Sequence, residues 1–349
     1  MSYASNRKFI TFASLWEDTQ LKIDVIGGGA IGLLHAAKLA MAGSEVTVWT
    51  RTESQAKALN KCGIAIRDEH HAANVAKVQS APLHSLREPQ SGKGTQWMLL
   101  TVKQSDIDDR LLQGISLLAG DGGRLLCMQN GVGHLDKLAQ ALPRSVIYAG
   151  VTTEGAKRID AASIDHTGQG QLFWGPMTAI DDSNNEIELF SQKLLSEALE
   201  AAGFHSLLSK DMKNRIYQKL LVNAVINPLT ALFGVTNGQL PHDLTRKQLM
   251  AALYKETAAI LQADGMPPVT DGWQRVLDVC SATEGNVSSM LADVRAGRVT
   301  EIEWINGGVC AIARSVGLAS PLNDAVCAMI GGLKRQSDGD YHNDDYYNS

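Results

Sequence analysis

One short stretch near the start constrains the fold more than any other: LKIDVI at 21–26, then GGGAIG at 27–32, with helix-forming residues continuing to Ala42. The first run is apolar and β-branched, which suggests a buried strand. AIGLLHAAKLAMA at 30–42 is rich in Ala and Leu and predicts a helix, with Gly43 at its C-terminal end. EVTVWT at 45–50 predicts a second strand. Strand, glycine turn, helix and strand make one βαβ unit of ordinary length.

The turn fits G-x-G-x-x-G over Gly27, Gly28, Gly29, Ala30, Ile31 and Gly32. In a dinucleotide site Gly27 makes the tight turn, Gly29 lets backbone approach the pyrophosphate, and Gly32 allows close helix–strand packing. The helix N-terminus then faces the phosphates. Glycine clusters also make plain turns, and the flanking strand and helix are what turn the motif into a nucleotide-site expectation.

The residue after the second strand bears on which nucleotide. An acid there would hold the ribose hydroxyls of NAD, whereas this chain has Arg51. A guanidinium suits the 2′-phosphate of NADP(H). Glu53 is close enough in sequence to reach a ribose, and a solvated surface arginine is the plain alternative, so the choice is not settled, with the guanidinium favouring NADP(H).

The pattern continues with apolar runs at 97–102, 124–128 and 145–149, separated by helical stretches. Strands alternating with helices imply a parallel, doubly wound sheet. From about residue 185 the character changes. Residues 186–202 predict an amphipathic helix, and from Met212 onward only 3.6-residue periodicity remains, as at 249–263 and 300–315. The chain thus divides into a Rossmann-type α/β domain at 21–190 and an all-α domain at 191–335. They are flanked by an extension at 1–20 and an acidic tail at 336–349, whose composition is that of disorder. A length of 349 residues agrees with two domains.

A formal net charge of −5 gives no support for a nucleic-acid partner or a polybasic membrane contact. No apolar run nears the ~20 residues that span a bilayer. The first twenty residues do not read as a secretory signal. Five cysteines without a CxxC pair argue against a disulfide framework or zinc site, so we expect reduced thiols, a cytoplasmic location and no metal.

Lys219, Asn223 and Asn227 are spaced i, i+4, i+8 within RIYQKLLVNAVINPLTALF, and on a helix they share one face. Polar groups in so apolar a segment need partners. A ligand bearing carbonyl, hydroxyl and carboxylate groups would serve, with the lysine as a proton donor. A polar seam capping backbone groups would serve equally, and spacing does not decide between them. Pro228 predicts a kink or stop at Asn227. Asn286, Ser289 and Asp293 (i, i+3, i+7) define a second polar face, read as a solvated helix face or a ligand contact. Thr300 to Glu303 fits a capping box with Thr300 as N-cap, which leaves Glu301 a helix-dipole role.

Taken in order, GGGAIG, TVKQSD, MQNGVG, QKLLVNAVINPLTALFGVTNG and NVSSMLADVRAGRVTEIEWING resemble the ketopantoate reductase (2-dehydropantoate 2-reductase) family from about Leu21 to Leu333. The resemblance implies a Rossmann domain followed by a helical domain of the 6-phosphogluconate dehydrogenase type, an NADP(H) cofactor and a small-molecule 2-oxo acid substrate. It implies Lys219 as the general acid of a hydride-transfer reaction. Asn223, Asn227, Asn237, Asn286 and Ser289, with Lys219, fall on substrate-contacting positions. Arg51 falls on the 2′-phosphate position, and Lys103, Asn130 and Ala156 fall on cofactor-contacting positions. Glu301 falls on the acidic residue near cofactor and active site, implying cofactor contact or tuning of Lys219. The extension and the tail depart from the family pattern and leave a changed partner or a homodimer open. Competing readings are an opine or 3-hydroxy acid dehydrogenase on the same scaffold, and a silent NADP-binding sensor.

Overall fold

The computed structural model describes residues 21–67, 73–89, 96–120, 122–178 and 185–333. The expected extension at 1–20 and acidic tail at 336–349 lie outside them. The chain separates into two compact units. Among the described residues, the first takes those from Leu21 to Val102, from 106 to 129 and from 135 to 210; the second takes 103–105, 130–134 and those from Asp211 to Leu333.

In chain order the first unit opens with β1 (Lys22–Ile26), α1 (Ala30–Met41), β2 (Glu45–Thr50), α2 (Glu53–Cys62), β3 (Ile64–Arg67), β4 (Ala73–Ala76) and β5 (Gln79–Pro82). It continues with β6 (Gln96–Leu100), α3 (Asp109–Ala119), β7 (Arg124–Cys127), α4 (His134–Ala141) and β8 (Val146–Thr152). It ends with β9 (Gly155–Arg158), β10 (Ser163–Gly168), β11 (Gln171–Pro176), α5 (Asn185–Ala201) and β12 (His205–Leu208). The main sheet runs β12-β11-β8-β7-β6-β1-β2-β5. β1 is flanked by β2 and β6, both parallel to it, so the strand order reverses beside β1. In open α/β sheets that reversal marks the ligand crevice at the carboxyl ends of the strands.

The strands are apolar on both faces because helices cover both. Trp97 and Leu99 enter one core with Leu33, Tyr148 and Trp174, while Met98 and Leu100 enter the opposite core with Ile115, Leu125 and Ile147. α1 ends as the sequence predicts. Gly43 sits at φ +98, its N–H reaching Ala40 O, while the Ser44 N–H reaches Leu39 O. These two bonds satisfy carbonyls that the last turn leaves open.

Three features of this unit depart from the sequence reading. β11 runs antiparallel to β8, and a separate four-stranded sheet, β4-β3-β10-β9, sits beside the main one. Its strands are short and mixed in polarity (GAKR, SIDHTG), so they carry no clean alternation to read. The domain boundary also falls at 210/211 rather than 190/191, because residue 190 lies inside α5. α5 is tied to the sheet by buried polar contacts. Arg124 Nε donates to both Glu188 oxygens at 3.0 Å, Tyr148 Oη donates to Glu188 at 2.5 Å, and Trp97 Nε1 donates to Ser191 O.

The second unit contains α6 (Met212–Phe233), α7 (Leu244–Ala263), α8 (Gly272–Ala282), α9 (Ser289–Arg295), α10 (Ile302–Ser315) and α11 (Pro321–Leu333). α6 does not stop at Asn227. It continues through Pro228 to Gly234, a left-handed C-cap at φ +67. Proline removes the donor for the carbonyl four residues earlier. That carbonyl belongs to Ala224, and Asn306 Nδ2 donates to it at 2.9 Å. Asn306 also donates to Asn323 Oδ1, and Asn323 binds Glu256 and Thr257, so a buried amide chain stands in for the missing N–H. Among the described residues no helix is long and apolar enough to cross a membrane.

Candidate active site

The glycine turn leaves β1 directly. Gly27 adopts φ +116, and its N–H donates to Trp49 O, which places the carboxyl ends of β1 and β2 side by side. A Cβ at Gly32 would lie 2.1 Å from Gly27 O, and a Cβ at Gly28 would lie within 2.7 Å of the Gln55 amide. The Gly32 contact is with backbone, so packing requires that glycine, whereas at Gly28 the end of the Gln55 side chain would only have to move aside. Gly29 differs: a Cβ there meets no atom within 4 Å. Gly29 is the N-cap of α1 and supplies no side-chain cap, so no N-cap side chain satisfies the first-turn N–H groups of α1. A helix N-terminus of that kind suits a phosphate group. Gln55 Nε2 and Arg158 donate to Gly28 O and fix the turn from outside. Ala156 lies on β9, packed against the core that α1 covers.

Arg51 follows β2 with its side chain 86% exposed, 3.7 Å from the Asp106 carboxylate. Glu53 is turned to Lys57, one helical turn on, at 3.0 Å.

Lys103, Asn130, Lys219, Asn223, Asn227, Asn237, Asn286, Ser289 and Glu301 all belong to the second unit. Because α6 is unbroken at Pro228, Lys219, Asn223 and Asn227 do share one face, half-buried at the first two and buried at the third. Burial lowers the Lys219 ammonium to about 8, against the pull of the Glu301 carboxylate, which raises it. Burial conversely raises the Glu301 carboxyl, while Asn130, Lys103 and Lys219 draw it back. Asn130 Nδ2 donates to Glu301 Oε2 at 2.9 Å.

That last contact depends on two glycines. Gly131 stands at φ +82, and a Cβ on it would lie 2.3 Å from Trp304 O. A Cβ on Gly308 would lie 2.5 Å from Val132 Cγ2. The 130–133 loop thus seats on the first turns of α10, with the Val132 N–H on Trp304 O at 3.0 Å. Glu301 itself is the N-cap of α10 and Thr300 makes no cap bond, so the expected capping box does not form. The helix starts too late for it, at Ile302, and the buried Thr300 hydroxyl has no partner.

Asn237 and Asn286 are brought together: the Asn237 N–H donates to Asn286 O at 3.0 Å, and Asn237 Nδ2 donates to Thr283 Oγ1. Asn237 Oδ1 is buried without a partner, an acceptor that a ligand hydroxyl would satisfy. The second polar face is not one helical stripe, since α9 begins only at Ser289 and Asn286 precedes it in an exposed turn. Asp293, noted only as part of that face, is a buried anchor: it accepts from Lys103 Nζ at 2.6 Å and from Arg298 Nε at 2.9 Å. Its signal was available as a carboxylate in an otherwise apolar run, MLADV. Asn306 was also missed, although Pro228 within a helix requires a substitute donor. Among the described residues no group of three or more His, Cys, Asp or Glu is arranged to hold a metal ion.

A Rossmann-type unit with an open helix N-terminus behind its glycine turn, joined in sequence to a helical unit carrying a desolvated lysine beside a carboxylate, defines an oxidoreductase. The chain belongs to the ketopantoate reductase family. The family models "Ketopantoate reductase PanE/ApbA" and its C-terminal counterpart match residues 23–179 and 211–334. A 2-dehydropantoate 2-reductase of Bacillus subtilis (strain 168) is 31% identical over 318 residues, 91% of this chain and 99% of the relative. Its Listeria monocytogenes counterpart is 30% identical over 321 residues, 91% of this chain and 99% of that one. The crystal structure of a probable 2-dehydropantoate 2-reductase from Bacillus subtilis aligns at TM-score 0.73 and 29% identity, covering 89% of this chain and 99% of that one. A D-mandelate dehydrogenase solved with NADH and anilino(oxo)acetate shares the fold, at TM-score 0.79 and 21% identity over 90% of this chain and 98% of that one.

Proposed function

We propose that this chain reduces the 2-oxo group of 2-dehydropantoate to (R)-pantoate with NADPH, a step toward pantothenate and coenzyme A. The observation that carries the reading is the Lys219–Glu301–Asn130 arrangement: an ammonium lowered to about 8 on an amide-bearing apolar helix, with a held carboxylate beside it. The 30–31% identity to 2-dehydropantoate 2-reductases over nine-tenths of the chain supports the same substrate.

The nicotinamide cofactor fits the first unit, where Gly29 leaves open space at the α1 N-terminus. The first-turn N–H groups of α1 would take the pyrophosphate, Arg51 the 2′-phosphate, and Ala156 a backbone-level contact. Lys103, held by Asp293 and Val299 O, and Asn130 would complete the cofactor contacts. When bound, the reduced cofactor supplies hydride to the ketone carbon. Lys219 Nζ gives its proton to the carbonyl oxygen as that oxygen gains negative charge, and the neutral amine is then reprotonated from solvent. Asn223, Asn227, Asn237, Asn286 and Ser289 would bind the substrate's hydroxyl and carboxylate groups. Glu301 keeps Lys219 charged and orients through Asn130. The reaction needs no metal, nucleic acid or membrane, and a cytoplasmic setting suits it.

A second reading, reduction of a different 2-oxo acid, is favoured by the shared fold of the D-mandelate dehydrogenase. Loss of NADPH absorbance on adding 2-dehydropantoate, run beside phenylglyoxylate and other 2-oxo acids, separates the two. Oxidation with 2-dehydropantoate is the expected result. Turnover with another oxo acid alone would move the chain to the second reading, and no turnover with any would overturn both.

A further inference from the structure

The Arg51 guanidinium, the group assigned above to the 2′-phosphate, already faces a carboxylate. Arg51 follows β2 and Asp106 closes the short 3-10 turn at Gln104–Asp106 that follows β6. β2 and β6 are the two neighbours of β1, whose carboxyl end carries the glycine turn. The two side chains thus come from either side of the strand that leads into the nucleotide site, and meet at 3.7 Å. Both are open to a ligand, with 86% of the Arg51 side chain and 44% of the Asp106 side chain exposed. The other acid at this corner, Glu53, is engaged by Lys57 at 3.0 Å.

We propose that Asp106 is a specificity-determining residue that narrows the discrimination between NADPH and NADH. The inference rests on the nicotinamide-dependent reading above. A 2′-phosphate brings nearly two negative charges to the guanidinium that Asp106 occupies. The phosphate must displace the carboxylate or lie beside it, and like charges at that range oppose binding. A ribose 2′-hydroxyl carries no charge and can donate to the carboxylate, the arrangement that acidic residues provide in NAD sites. Asp106 therefore works against NADPH and not against NADH. Arg51 favours NADPH, so the chain carries both determinants, and their opposition leaves a shallow preference. Both groups are solvated, so the effect is modest and weakens with salt.

The test is titration of the full chain with NADPH and with NADH, at low and high salt, comparing wild type, Asp106→Asn and Arg51→Ala. Asp106→Asn is expected to tighten NADPH about 3–10-fold at low salt, to leave NADH unchanged or weaker, and to lose much of its effect at ~0.5 M salt. A ratio of the two dissociation constants within twofold of wild type in Asp106→Asn would overturn the inference while leaving the proposed function standing. Equal weakening of both cofactors in Arg51→Ala would overturn the phosphate assignment on which the inference is built. Binding of neither cofactor by the wild type would overturn the proposed function itself.

Discussion

Asn130 donates from Nδ2 to the Glu301 carboxylate at 2.9 Å, joining residues 171 positions apart in the chain. The bond holds one face of Glu301 while its charge acts on Lys219, whose ammonium would otherwise fall further below its ordinary range. Loop 130–133 and the start of α10 are thereby one device for keeping a lysine protonated in a desolvated place.

If Lys219 is the proton donor, ketone reduction needs its charged form. The rate of reduction is then level below about 8 and falls above it, while the reverse oxidation, which needs the neutral amine, rises through the same region. Lys219→Ala should lower turnover by about 10²–10⁴-fold with cofactor still bound. Pre-steady-state rates across pH check both; near-wild-type turnover in the variant would sink the assignment.

Glu301→Gln removes the carboxylate that raises Lys219, so burial alone sets its value and the falling limb moves to lower pH. The measurement is the pH profile of kcat in wild type and variant. A limb that stays in place, or moves to higher pH, would show that Glu301 acts otherwise.

The glycines of the turn should separate by effect. Gly32→Ala forces a contact 2.1 Å from Gly27 O and is expected to lower thermal stability markedly. Gly29→Ala meets no protein atom and should leave the melting temperature almost unchanged, while weakening the cofactor about tenfold or more by filling its space. Melting curves with and without cofactor distinguish the two. Equal destabilisation of the apo chain by both would remove the argument that Gly29 is kept open for a ligand.

Asn306→Ala deprives Ala224 O of the donor that replaces the one missing at Pro228, at a cost of about 1–3 kcal/mol. In that background Pro228→Ala restores a backbone N–H to the helix and should recover part of the loss. A double-mutant cycle by urea denaturation measures the coupling. Strict additivity would mean that Asn306 supports α6 by packing alone.

Much of this molecule was legible in one dimension. The strand–glycine–helix series at 21–50 and the apolar strands to 149 follow from periods that backbone geometry imposes locally. So do the long helices after Met212, and the pattern of Lys219, Asn223 and Asn227 on one helix face. Glycine at 27 and 32 was likewise readable, because a positive φ and a close backbone approach exclude side chains wherever such a turn occurs. The tertiary structure decided what local preference could not. Pro228 read locally as a stop, and Asn306, 82 residues beyond the Ala224 carbonyl that Pro228 leaves without a donor, lets the helix continue. Thr300 and Glu303 read locally as a cap, and α10 starts one residue later, with Glu301 as its N-cap. The pairs Asn130 with Glu301, Lys103 with Asp293 and Arg51 with Asp106 have no sequence period at all. They exist because folding brings distant segments within a hydrogen bond or an ion pair of each other, and at those distances charge and desolvation set what each side chain can do.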